Sequence, residues 1–192
     1  DNDVEEAARF APAAELHLEG VEEITTLPAL QSPQVDTSLI LPGYFPGSGP
    51  MDARLIVVGA APDSYSLDAG YGYAGPTGKL LSSWLKAVGI NRADVRFEYV
   101  YPYKPEAGNP ANIGFEELEY WTARLHDRLA QFPNAVVIVP LDGFTGKGLG
   151  STALRAVTGH HNISDYRGSL LRVVGNKGLT QWAIPSICPS AV

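Results

Sequence analysis

The stretch LIVVGAAPD at residues 55–63 constrains this chain more than any other segment. Its first part, Leu55–Gly59, is a short apolar run typical of a strand buried on both faces of a parallel sheet. Gly59, Ala60 and Ala61 then carry almost no side chain, so a ligand can approach the backbone closely. The stretch therefore predicts a strand of an α/β fold, followed by a loop that fits a ligand tightly.

Strand and helix patterns alternate after this run. The predicted elements are, in chain order, Leu55–Gly59, Lys79–Val88, Val95–Tyr101, Phe115–Phe132, Ala135–Pro140, Ser151–Val157, Gly168–Val174 and Gln181–Ile184. The first, third and fifth of these are strands, and the last two form a strand pair. The order βαβαβαββ predicts an α/β sandwich with a mostly parallel sheet.

Charge is divided unevenly along the chain. The net charge is −7, but residues 1–52 hold ten acidic residues against one base, Arg9. Residues 53–192 are mildly basic, with thirteen basic and eleven acidic residues. We therefore expect an acidic N-terminal arm at 1–45 and a folded domain at 46–192 whose basic face can attract nucleic acid.

Several classes of protein are excluded by composition. The single cysteine, Cys188, permits neither an internal disulfide nor a cysteine cluster. No apolar run approaches the about 20 residues of a membrane span, and no signal peptide is visible. We expect no membrane, metal or cofactor, and a cytoplasmic location in a bacterium or a phage-infected cell. The pair His160–His161 is a poor metal site, because neighbouring residues of an extended chain point to opposite sides.

Ligands of open parallel sheets bind beyond the carboxyl ends of the strands. Four segments are expected there, at 59–75, 101–109, 141–150 and 185–192. Tyrosines in the first two are candidates for stacking on a ring: Tyr65, Tyr71 and Tyr73 in the first, and Tyr99, Tyr101 and Tyr103, which alternate and are expected to share one face of the second strand. The third segment lacks the G-x-x-x-x-G-K-[ST] spacing of a phosphate loop, so an unrelated nucleotide-binding protein has little support.

Five segments resemble, in their order, the motifs of the uracil-DNA glycosylase superfamily, and most closely those of its iron–sulfur branch, often called family 4. They are GSGPMDARLIVVGAAPD, YGYAGPTGKLL, VRFEYVYPYKPEAGNP, VVIVPLDGFT and PSICPS, within about residues 46–190. The resemblance implies a base-flipping pocket and a partner that is single-stranded or uracil-containing DNA. It also implies a three-layer α/β/α sandwich around a central, mostly parallel four-stranded sheet.

The resemblance assigns the first half of this pocket to two segments. Gly59, Ala61 and Pro62 match a loop that reads G-E-A-P-G in the family and positions the attacking water, whereas Ala60 replaces its acid. Tyr73 falls where an aromatic residue stacks on the flipped base. Ala60 supplies neither a carboxylate nor an oriented water for the charge that develops on the sugar.

The second half of the pocket departs further from the family. Tyr99 stands where an asparagine reads the base, and it cannot make the same two-point pairing. The late motif H-P-S reads Cys188-Pro189-Ser190, and a thiol is a poor donor to the departing base. The cysteines that hold the family's iron–sulfur cluster are absent. Together these replacements predict little activity on uracil.

A carboxylate elsewhere in the loop could take the place of the missing acid and orient the attacking water. Asp63 and Asp68 lie in the same loop and are the candidates, with a solvated surface position as the alternative for both. The basic side chains expected to contact the DNA backbone are Lys79, Lys104, Lys147 and Arg167.

Two functions therefore stay open. One is a degenerate, DNA-binding or partner-docking module of DNA repair or replication. The other is an active glycosylase that removes uracil or another modified base. The family's arginine-bearing loop and following helix have no counterpart after the last motif, so we expect a module of a longer protein. A fused or associated polymerase is the partner suggested by analogy with phage-type replication proteins.

Overall fold

The structure is a computed structural model that describes residues 42–109, 112–143, 151–174 and 181–191. All of these belong to one unit, Val35–Val192. Most of the predicted acidic arm lies outside the described residues. The same holds for residues 144–150, and with them Lys147, and for the expected turn at 175–180.

A mixed sheet forms the centre of the described residues. Its strands are β1 (Leu55–Gly59), β2 (Val95–Tyr99), β3 (Val137–Asp142), β4 (Leu171–Arg172), β5 (Trp182–Ala183) and β6 (Ser186–Ile187). They lie in the order β2-β1-β3-β5-β4, β6 also pairs with β3, and the β4–β5 pair is antiparallel whereas the others are parallel. The predicted α/β fold with a mostly parallel sheet is confirmed.

Six strand segments build the sheet where four were expected. Both β5 and β6 pair with β3, and they are separated by Ile184 and Pro185. Proline has no backbone N–H to donate to a ladder, so Pro185 separates β5, within the predicted strand Gln181–Ile184, from β6, which was not predicted. The remaining segment, β4, adds an antiparallel edge.

Helices cover both faces of the sheet. They are α1 (Ser64–Ala69), α2 (Pro76–Ala87), α3 (Phe115–Leu129), α4 (Thr152–Thr158) and α5 (Ile163–Tyr166). Alternate residues of β1 point to opposite sides: Ile56 and Val58 join a core with α3 and α4, and Val57 joins a second core with α2. These two cores make the three layers that the resemblance implies.

Local sequence explains where the two longest helices begin. Pro76 occupies the first turn of α2, where a missing N–H costs nothing. Glu116 and Glu117 occupy the first turn of α3, where negative charge is favourable. The short helix α1 was not predicted, because its six residues carry no apolar period. Asp63 caps it by accepting the Ser66 N–H at 2.8 Å.

The strand register brings the loops of the expected site together. Gly59, the last residue of β1, lies opposite Tyr99 on β2 and Leu141 on β3. The carboxyl end of β3 also pairs with β6, which leads into Cys188. The three strand ends and the last segment therefore meet at one edge of the sheet.

A buried ion network lies on the other side of β2. Glu98 is 1% exposed, and it accepts from Arg96 at 2.7 Å and from Arg128 of α3 at 3.1 Å. Arg96 also donates to the backbone carbonyls of Pro46 and Gly49, at 3.0 Å each. The network therefore ties the segment before β1 and helix α3 to the same strand.

One expectation about β2 is wrong. Tyr99 is buried in the α2-side core, whereas Tyr101 packs against the opposite core, so the alternating tyrosines do not share a face. The reason is that β2 ends at Tyr99, two residues earlier than predicted. Beyond it Val100 and Tyr101 are both directed toward the α3-side core, which breaks the period of two.

Candidate functional site

Two tyrosines occupy the centre of the site at the sheet edge. Tyr73 and Tyr99 stack with ring centroids 5.5 Å apart and are 7% and 3% exposed. Phe45 packs edge-on against the other side of Tyr99 at 5.2 Å. The Tyr99 hydroxyl accepts the Tyr73 N–H at 3.1 Å and lies 3.4 Å from the Ser66 hydroxyl. The pair is therefore held by packing and by hydrogen bonds.

Gly59, at the end of β1, has no side chain, and the tyrosine pair packs in the space this leaves. A Cβ built on Gly59 would lie 2.8 Å from a ring carbon of Tyr99 and closer still to the Tyr73 hydroxyl. Real Cβ atoms essentially never approach other atoms that closely. At Gly59 the space expected for a ligand is therefore occupied by the protein's own side chains.

The backbone at Tyr73 is unusual and is fixed by an arginine. Tyr73 has φ +53°, in the left-handed region that non-glycine residues seldom adopt. The Arg92 guanidinium donates to the carbonyls of Gly72 and Tyr73, the latter at 3.0 Å, and lies 4.5 Å from the ring centroid of Phe97. Burial lowers the pKa of Arg92. These contacts offset the strain and hold the Tyr73 ring against Tyr99.

Burial also keeps both hydroxyls of the pair neutral. It raises the pKa of Tyr99 to about 12, although the hydrogen bonds from Ser66 and Tyr73 oppose that shift. Burial raises the pKa of Tyr73 well above its usual range, and nearby Tyr99 adds to the effect. Neither tyrosine can serve as a base near neutral pH.

The last motif lies beside the pair. Cys188 is a free, half-buried thiol that packs against the core containing Tyr73 and Tyr99. Its N–H donates to the Asp142 carbonyl at 2.8 Å. The exposed Ser190 donates its hydroxyl to the Cys188 sulfur at 3.2 Å. The structure therefore brings the first, second and last motif positions to one place.

Asp142 is a buried carboxylate that the sequence analysis did not single out. It is 5% exposed, and its two oxygens accept the N–H groups of Ala153 and Leu154 at 3.0 and 2.7 Å. These are the second and third residues of α4, so the side chain caps that helix from β3. Burial raises the pKa of Asp142 to about 6, against the opposing effect of the two N–H groups. An acid directly after the apolar run AVVIVPL was the signal that could have identified it.

A cleft of about 430 Å³ opens between loops at this edge of the sheet. Its walls come from the segment after β1 and from the segment after β2, and its lining residues are Ala61, Pro62, Asp63, Ser64, Tyr65, Lys104, Pro105 and Gly108. The Tyr65 ring is 60% exposed and lies over Gly75, where a Cβ would collide with it. The cleft therefore offers one aromatic ring, one carboxylate and one ammonium group.

A sequence profile of the Uracil DNA glycosylase superfamily matches residues 46–192. The chain belongs to the uracil DNA glycosylase superfamily. No curated protein sequence matches the chain significantly. Membership makes this a DNA glycosylase-like domain, in a superfamily that binds DNA.

Other expected site residues of this superfamily domain lie apart from the tyrosine pair. Asp68 is exposed on α1 and is not among the residues that line the cleft. Lys79 is exposed in the first turn of α2, and Arg167 is exposed at the end of α5. Of the predicted DNA contacts, Lys104 lines the cleft. Lys147 lies outside the described residues.

The iron–sulfur cluster of the family 4 branch does not fit this chain. Such a cluster is held by several cysteine thiolates, and the whole sequence contains one cysteine. Within the described ranges no three His, Cys, Asp or Glu side chains are grouped to hold a metal ion. His160, one of the pair considered as metal ligands, stacks on Tyr166 with ring centroids 4.0 Å apart.

No helix in the described part of the chain is long and apolar enough to cross a bilayer.

Proposed function

We propose that this domain, closest to the family 4 branch, binds DNA through a glycosylase scaffold whose base pocket is closed and whose catalytic groups are replaced. The stacking of Tyr73 on Tyr99 is the observation that carries the proposal. Both rings are buried, so the ring that would stack on a flipped base is stacked on a neighbour instead. A base could enter only if this pair separated.

The groups around the pair support the same conclusion. Excision of a base builds positive charge on the sugar and negative charge on the base. Ala60, which stands where the family has an acid, carries no group that could act on the sugar. Next to the pair, Cys188 offers a thiol, which is a weak donor, and it is itself contacted by the Ser190 hydroxyl. Losing one oriented donor costs on the order of 10²–10³ in rate, so several losses together leave little activity.

The first test measures base release and binding on the same DNA. The purified full chain is incubated with a labelled, single-stranded oligomer that contains one uracil, and abasic sites are then cleaved with alkali. We expect no cleavage above that of the matching thymine oligomer. Time-dependent release of uracil would overturn the proposal of a degenerate site.

Binding to that oligomer should depend strongly on salt. Contact of Lys79, Lys104 and Arg167 with about three phosphates would weaken single-strand binding about twentyfold between about 50 and about 200 mM salt. Fluorescence anisotropy over that range measures the slope. Binding that is absent, or that does not change with salt, would contradict the DNA-binding half of the proposal and favour a partner-docking module.

An active glycosylase is the second candidate, because Asp63 lines the cleft beside Tyr65 and Lys104. Asp63→Asn would keep the cap of α1, since asparagine accepts the Ser66 N–H equally well, but would remove the charge. If wild type releases uracil and this variant folds but does not, Asp63 is the relocated carboxylate. Full activity of an Asp63→Ala, Asp68→Ala double variant would exclude this assignment.

A role in DNA repair or replication, an associated polymerase and a cytoplasmic setting in a bacterium or phage-infected cell complete the proposal. They rest on the motif resemblance and on the charge division of the chain. Co-purification of the native protein with a polymerase is the observation that would support the partner.

A further inference from the structure

Five aromatic side chains form a connected group beside the cleft, here called the aromatic platform: Tyr44, Tyr101, Tyr103, Tyr120 and Trp121. Trp121 is its centre, with ring centroids at 5.1 Å from Tyr120, 5.6 Å from Tyr103, and 6.3 Å from both Tyr44 and Tyr101. Tyr103 also meets Tyr44 at 5.6 Å and Tyr101 at 5.7 Å. The rings come from three separate parts of the chain.

The platform is partly exposed and borders the α3-side core. Tyr120 is 49% exposed, and the other four residues are half-buried. Leu118, Leu125 and Leu129 of the same helix are buried, whereas Trp121, at helical spacing between Leu118 and Leu125, keeps part of its surface exposed. Of the five, Tyr101 packs against the α3-side core.

Two exposed cations lie near the platform. The Arg124 guanidinium lies 5.3 Å from the ring centroid of Tyr120. Lys104, which directly follows Tyr103 in the chain, lines the cleft. Arg128 also lies near Tyr44, where it opposes the rise in the pKa of that hydroxyl caused by burial, but it is paired with Glu98. The residues after β2 therefore contribute to both the platform and the cleft.

The acids in direct contact with Tyr101 or with Arg124 are already engaged, although Glu116 and Glu119 of α3 are also exposed. Burial raises the pKa of the Tyr101 hydroxyl to about 12, and its hydrogen bond to the Glu117 side chain contributes to that rise. Asp127 pairs with Arg124 at 3.4 Å. Exposed aromatic faces with neighbouring cations are what sequence-independent binding of single strands uses: bases stack on the rings and phosphates meet the cations.

We propose that the aromatic platform stacks the bases of single-stranded DNA and leads the strand to the cleft at Lys104. This inference rests on the proposed function, because it requires a domain that binds DNA. It adds the surface that holds the strand. The bases would contact Tyr120 and Trp121, and the backbone would run past Lys104 and Arg124.

The test compares Tyr120→Ala with a matched control on the same helix. Phe115 is also 49% exposed and also carries an arginine over its ring, Arg155 at 5.0 Å, but it does not belong to the platform. Binding of the full chain to a labelled dT oligomer of about 16 nucleotides is measured by anisotropy. We expect Tyr120→Ala to bind about tenfold more weakly, and Phe115→Ala and Tyr120→Phe to bind like wild type.

A second oligomer separates stacking from charge. It has the same length and phosphates, but abasic residues replace its bases. Wild type should bind it about tenfold more weakly than the dT oligomer, and Tyr120→Ala should cause no further loss on it. Thermal unfolding of each variant verifies that it is folded.

The outcomes distinguish this inference from the proposed function. Salt-sensitive binding of dT that is equal in wild type and Tyr120→Ala would overturn the platform and leave the DNA-binding domain in place. Absence of DNA binding by wild type at low salt would overturn both. Binding of a proline-rich peptide that Tyr120→Ala abolishes, with DNA binding unchanged, would reassign the surface to a protein partner.

Discussion

At the residue scale, titration of Asp142 should make the stability of the domain depend on pH, and a single variant can isolate this effect. Burial raises its pKa from 3.8 to about 6 in the folded state. The folded state therefore binds more protons than the unfolded state between about pH 4 and 6, so this group's contribution to stability is full below pH 4 and is lost as the pH rises to 6. At 1.36 kcal/mol per pKa unit, the loss is about 3 kcal/mol.

The measurement is the free energy of unfolding of wild type and of Asp142→Asn, by urea denaturation at several pH values. Asparagine resembles the protonated acid in shape and does not titrate, so its stability does not follow the ionisation of this position. Titration of all other groups cancels in the difference, and the stability of wild type relative to the variant should fall from pH 4 to pH 7. Two parallel curves would show that Asp142 titrates normally.

Sequence predicted which residues would meet at the site, but not what they would do there. Gly59, Tyr73, Tyr99 and Cys188 were placed by a resemblance of motifs, and the structure brings them together. Whether a tyrosine stacks on a ligand or on another tyrosine depends on long-range packing. The stack of the two tyrosines requires the left-handed backbone at Tyr73. No local sequence pattern predicts that conformation.

At the scale of elements, Glu98 joins a strand, a helix and the segment before β1. It is 1% exposed between Arg96 and Arg128, and Arg128 also donates to the Tyr99 carbonyl at 2.6 Å. Removing one partner of a buried ion pair leaves the others uncompensated. We expect Glu98→Gln to lower the free energy of unfolding by about 3–5 kcal/mol.

The matched control for this variant is Glu119→Gln. Glu119 also pairs with an arginine, Arg155 at 3.6 Å, but it is 59% exposed. An exposed pair contributes about 0–1 kcal/mol, so the control should unfold near wild type in urea. Equal losses in the two variants would mean that the buried network is not what couples these elements.

Elements with strong local signals were predicted closely, and weak ones were not. The run LIVVG and the leucine spacing of α3 placed β1 and most of that helix correctly. Helix α1 was missed because Asp63 and Gly70 define it by capping rather than by apolar spacing. The early end of β2 depends on the neighbouring loop, since Val100 and Tyr101 donate to the carbonyls after β1.

At the scale of the whole molecule, the division of charge bears on DNA binding. Residues 1–41 carry nine acidic residues and Arg9, so removing them changes the net charge from −7 to +1. The deletion should stop at 41 rather than 45, because Phe45 is buried and Tyr44 belongs to the aromatic platform. The sequence predicts the fold class and the division of charge. The residue at which the arm can be removed depends on packing, which the sequence does not show.

We expect the 42–192 chain to bind the dT oligomer more tightly than the full chain at about 50 mM salt, because like-charge repulsion from the acidic residues is lost. The gain should fall as salt rises, since screening shortens the range of that repulsion to about 8 Å at 0.15 M. A full-length variant with the nine acids changed to their amides is the control for chain length, and it should match the deletion. Equal affinity of the deletion and wild type at low salt would show that the arm does not oppose DNA. A gain in the deletion alone would mean that the segment acts by occupying the surface, independently of its charge.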